Sequence, residues 1–136
     1  MKHRTFAFWS ATALVCVAFV GSGFANLFHS PHVAADMARL GYPRYFSTVL
    51  GAWKILGAAA VVVPRLPRLK EWAYAGMIFD LSGAAISRAI AGDGVPGIAP
   101  PLFVAALVVA SWVLRPADRV LGSPFLREAH RMKSSA

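Results

Sequence analysis

A charge in the middle of an apolar segment long enough to cross a bilayer restricts a fold severely, and this chain has two such segments in succession. The runs 45–63 and 72–90 hold nineteen residues each. As helix, at about 1.5 Å per residue, each reaches roughly 28 Å, close to a hydrocarbon core of about 30 Å. Lys54 lies in the first run and Asp80 in the second. Each charge costs about 2.5–3.5 kcal/mol at the bilayer centre on insertion scales, so such a residue faces protein and takes a partner. The link from Pro64 to Glu71 is short and twice broken by proline, which forces a tight antiparallel hairpin. Lys54 lies ten residues before Pro64 and Asp80 nine after Glu71, so the two charges share one depth and are expected to pair.

Small residues extend that register. Ser47, Gly51, Lys54 and Ala58 fall on one helical face, as do Gly76, Asp80, Gly83 and Ser87. With Lys54 opposite Asp80, Ala58 is expected to face Gly76, Gly51 to face Gly83 and Ser47 to face Ser87. Gly57 joins the same set of packing positions. Small side chains allow the close backbone approach by which membrane helices associate. Arg88, two turns beyond Asp80, either extends to the interface or lines the mouth of a cavity above Asp80, with Ser87 and Ser47 beside it.

The remainder of the chain fits the same plan. Hydrophobic residues make up 57% of it, too many for a soluble domain of this size. An apolar run covers 6–28, and a proline-led one covers 98–114. The expectation is an all-α, integral membrane four-helix bundle forming a single domain, 1–136, with a basic tail over 115–136. The first run also has the form of a signal peptide, with Gly23-Phe24-Ala25 as a cleavage site. Its length and the three runs that follow favour a retained helix. Between the first two spans, Ser30 can cap a helix, Pro31 can open it and Gly41 can stop it. Val33, Met37 and Leu40 then share the apolar face of a short helix lying on the membrane surface. His29 and His32 flank its start, but no further ligand joins them locally, so no metal site is assigned. Cys16 is the single cysteine, read as a small packing residue.

The formal charge of +8 does not indicate a nucleic-acid partner, because the basic residues sit at the ends of apolar runs rather than in a stripe. Lys2, Arg4, Arg65, Arg68, Lys70 and the tail's Arg115, Arg119, Arg127, Arg131 and Lys133 share one side. Arg39, Arg44 and Arg88 take the other. The positive-inside rule therefore puts both termini in the cytoplasm.

The stretches Gly51-Ala52-Trp53-Lys54-Ile55-Leu56-Gly57-Ala58, Pro64 to Gly76 and Phe79-Asp80-Leu81-Ser82-Gly83-Ala84 resemble the DoxX-like family of small bacterial membrane proteins. Leu40-Gly41-Tyr42-Pro43 and Leu114-Arg115-Pro116 add to the likeness. The resemblance implies a four-helix bundle in the bacterial inner membrane, and a quinone is the cofactor it brings to mind. Relatives often carry an acidic residue near the place of Lys54, and with that departure no quinone site is carried over.

Three functions follow from the residues. The first is a membrane subunit or accessory protein that binds an apolar ligand, quinone or lipid, at Lys54 and Asp80. The second is an ion- or proton-coupled transporter component that works as a homo-oligomer. In the third, the pair only fixes helix register. Neither a nucleophile–base set nor haem or iron–sulfur ligand patterns are visible, so any redox step comes from a partner subunit or a bound cofactor, and the chain is not read as a stand-alone enzyme.

Overall fold

The computed structural model describes residues 2–116 and 131–135. The basic tail therefore lies largely outside the described residues. Among the described residues, five helices of ten residues or more follow one another: α1 (Lys2–Leu27), α2 (Pro31–Leu40), α3 (Arg44–Val62), α4 (Pro67–Ile90) and α5 (Val95–Val113). No strand occurs among the described residues. The four long helices pack in a ring, α1 on α3, α3 on α4, α4 on α5 and α5 back on α1. The short α2 lies against α3.

All four long helices feed one core. Val15 and Phe19 come from α1, Ala58 and Val61 from α3, Tyr74, Met77 and Leu81 from α4, and Val108 from α5. The outer faces are apolar as well: Val17, Trp53, Leu56, Phe79 and Phe103 are all exposed. A helix that is apolar all round belongs in a medium that is itself apolar. α1, α3 and α5 are long and apolar enough to cross a membrane. α4 has the length, at 24 residues, but Arg68, Lys70, Glu71, Asp80 and Arg88 make it more polar than the other three.

Local signals set most boundaries. Ser30 Oγ accepts a hydrogen bond from the Val33 amide at 3.4 Å, and Pro31 occupies the first turn of α2. Gly41 ends that helix at φ 80°, with its amide donating to Ala38 O and the Tyr42 amide to Met37 O. That is the Schellman arrangement, which needs a left-handed residue at this position. α4 starts earlier than expected, at Pro67, so the hairpin link shrinks to 63–66 and carries Arg65 at φ 68°. α5 also starts earlier, at Val95. Its prolines at 96, 100 and 101 all lie in the first two turns, where few intrahelical hydrogen bonds are lost.

Candidate functional site

Lys54 on α3 points between α1 and α4. Its Nζ donates to Ser22 Oγ on α1 at 2.8 Å and lies 3.7 Å from Asp80 Oδ2 on α4. The second distance is longer than a hydrogen bond. Among the described residues, Lys54 is the one cationic partner of the Asp80 carboxylate, and it approaches a single oxygen, Oδ2.

Two cavities meet at this pair. The first, about 490 Å³, is a cleft between α3 and α4 on the hairpin side. Phe19, Trp53, Leu56, Trp72 and Met77 line it. Trp53 and Trp72 are largely exposed, so the cleft opens on the outer face of the protein. The second, about 390 Å³, lies beneath α2 and is lined by Ser22, Asn26, Asp36, Tyr42, Ser87 and Arg88, among others. Leu50, Lys54, Phe79 and Asp80 belong to both. Both volumes fall in the range of small-molecule sites, about 300–1,000 Å³.

The expected small-residue register between α3 and α4 does not hold. Gly51 meets α1 rather than Gly83: a Cβ there would fall 2.7 Å from Gly23 O and 2.8 Å from the Leu27 side chain. Ser47 likewise turns to α1, donating to Asn26 O at 2.9 Å and Asn26 Oδ1 at 3.1 Å. Ser87 bonds Tyr42 Oη at 2.5 Å instead. Ala58 is buried in the core, its carbonyl 3.9 Å from Cys16 Sγ, and Gly57 lies against the flexible end of Met77. A Cβ on Gly76 or Gly83 would meet nothing within 4 Å. They create space rather than contact, Gly76 in the cleft and Gly83 in the cavity beneath α2. The reason is geometric. α3 packs between the long helices α1 and α4, and Ser47 and Gly51 went to the closer crossing, with α1.

Arg88 lines the cavity beneath α2 and is held by two carboxylates. It reaches Asp36 Oδ2 at 2.6 Å and Asp93 Oδ2 at 3.2 Å. Asp93 also takes both terminal nitrogens of Arg39, at 2.7 and 3.0 Å. The Arg39 hydrogen bond holds the Asp93 carboxyl below the usual carboxylate range, against an opposing desolvation, and raises Arg39 in turn. Sequence reasoning missed Asp36, Arg39 and Asp93 because their partners are distant in the chain or lie in a loop. His29 bonds Thr48 at 3.2 Å, and His32 lies 3.7 Å from Asp36. No cluster able to hold a metal occurs among the described residues.

The hairpin end carries polar residues that the sequence placed elsewhere. Lys70, taken as a basic turn residue, is buried, and its Nζ donates to the carbonyls of Ala60, Val61 and Val63. A cation there closes the C-terminal end of α3, where carbonyls lack partners and the helix dipole is negative. Arg115, also buried, bonds Glu71 at 2.6 Å and lies over the Tyr74 ring. Thr12, Ser111 and Tyr74 form a chain of hydroxyls that ties α1, α5 and α4 together.

The model of the DoxX-like family matches residues 10–111, from the third turn of α1 almost to the end of α5. This chain belongs to the DoxX-like family. With its three long apolar helices, it is a membrane protein. No curated protein and no solved structure matches it. Lys54, Asp80, both cavities and the ion network of Asp36, Arg39, Arg88 and Asp93 all lie within the DoxX-like segment.

Proposed function

We propose that this DoxX-like protein is a multi-pass component of the bacterial inner membrane, a four-helix bundle with both termini cytoplasmic, and that it binds an apolar ligand, quinone or lipid, beside an intramembrane Lys54–Asp80 pair. In this reading α4 is the fourth span. It is the most charged of the four, but it packs between α3 and α5, and Asp80 and Arg88 have cationic and anionic neighbours respectively. The basic residues favour the stated orientation, with α2 on the outer surface. The chain acts as a non-catalytic subunit or accessory protein.

One observation carries the ligand reading. Asp80 borders an apolar cleft open at the outer face, and among the described residues its carboxylate has Lys54 alone as a partner, at one of its two oxygens. Ligand sites are mostly apolar with a few polar groups that fix orientation, and this one has that composition. The test is mass spectrometry of small molecules that copurify with wild type and with Asp80→Ala at matched yield and fold. A quinone or lipid recovered with wild type and lost from the variant is expected. Equal recovery from both overturns the reading. A transporter component is the second reading, favoured by the placement of Lys54 and Asp80 in the wall common to two cavities. Equal recovery would leave that one standing.

A further inference from the structure

We infer that the two cavities form one bipartite site whose ligand is an uncharged amphiphile with a hydroxyl-bearing head. This rests on the ligand-binding reading above and narrows it to a chemical class. The cleft between α3 and α4 takes the apolar part. Apart from Lys54, Asp80 and the two indoles, its lining is apolar, and it opens at exposed Trp53 and Trp72. The head passes Lys54 and Asp80 into the cavity beneath α2, where Asn26, Tyr42 and Ser87 supply polar groups.

The state of the charges selects an uncharged head. Arg88 is taken by Asp36 and Asp93, and Lys54 has Ser22 and Asp80. A charged head would lose its hydration without gaining a counter-charge of its own, an expensive exchange in a low-dielectric site. Hydrogen bonding then decides what the head carries. Among the described residues Asp80 has Lys54 alone as a partner, 3.7 Å from Oδ2, which leaves acceptor positions for a ligand, and an ionised carboxylate only accepts. Its complement is a donor, and the hydroxyl is the simplest uncharged donor an amphiphile's head carries. The backbone provides the room. Gly76 and Gly83 stand on the Asp80 face of α4, one beside each cavity, with open space where a Cβ would be.

Two probes with the same chain separate the elements: monopalmitoylglycerol, whose head has hydroxyls, and methyl palmitate, whose head has none. Retention of each is read by native mass spectrometry on wild type, Gly76→Phe and Gly83→Phe. Thermal unfolding checks that each variant folds, and Gly83→Val replaces Gly83→Phe if the larger ring unfolds the protein. Wild type is expected to retain the monoacylglycerol about tenfold better than the ester, the scale of one hydrogen bond to a charged group. Gly83→Phe should remove that preference and leave ester retention unchanged, whereas Gly76→Phe should abolish retention of both. Equal retention of the two probes, or a preference that survives Gly83→Phe, overturns the bipartite site while leaving the apolar-ligand reading intact. Retention of neither probe by wild type, or full retention by Gly76→Phe, overturns both.

Discussion

Gly51 and Gly83 are the same residue type in comparable settings, yet they do opposite things. At Gly51 the α1 backbone is so near that a Cβ has nowhere to go, since Gly23 O stands 2.7 Å from its place. A backbone atom cannot rotate aside, so the two helices must separate. Gly51→Ala is expected to destabilise the protein by about 1–3 kcal/mol, the usual cost of overpacking. Gly83→Ala meets nothing and removes a helical glycine, so it should be neutral or stabilise by up to about 1 kcal/mol. Denaturant unfolding in micelles measures both, and equal effects would refute this account of α1 and α3. Lys54 shows why the face of α3 was legible but its partners were not. Helical spacing puts Ser47, Gly51, Lys54 and Ala58 on one stripe, but a stripe does not say which neighbour it meets. Lys54 in fact lies at the boundary, bonded to α1 and near the carboxylate on α4.

At the scale of the element, α2 is the loosest of the five. It buries no residue fully, and α3 is its main helical neighbour. What ties it to α4 and to the loop before α5 is the Asp36–Arg88–Asp93–Arg39 network. Asp93 has a folded pKa below its unfolded one. Its contribution is therefore complete above the unfolded value, about 3.9, and is lost as the pH falls through the lower folded value. Hydrogen-exchange protection of the α2 amides should hold steady from neutral pH down to about 5 and fall below about 4. In Asp93→Asn that protection should already be low at neutral pH. Unchanged protection in the variant would mean that α2 is held by its apolar face alone. The caps of α2 were readable because Ser30, Pro31 and Gly41 act on their own backbone. The network was not, since it joins residues up to 54 positions apart.

For the whole molecule, the number of long helices and their antiparallel order followed from run length and from the proline-broken link. The individual weight of each basic residue did not follow. Lys70 and Arg115 were counted as markers of one membrane side, but both are buried and bonded within the protein. The asymmetry survives without them, through Lys2, Arg4, Arg65, Arg68, Arg131 and Lys133 against Arg39, Arg44 and Arg88. A green fluorescent protein fused after Ala136 should therefore fluoresce, and an alkaline phosphatase fused there should be inactive. The reverse pattern would invert the proposed orientation.

Lys70 also bears on how the protein is made. The ammonium group that closes α3 belongs to α4, so the end of α3 has no such partner until the next helix begins to emerge from the ribosome. α4, in turn, is too polar to partition into lipid readily by itself, and α3 holds the cation beside its Asp80. With α4 as the proposed fourth span, the two are best suited to leave the insertion machinery together as a helical hairpin, each masking charges that the other could not carry into the bilayer alone.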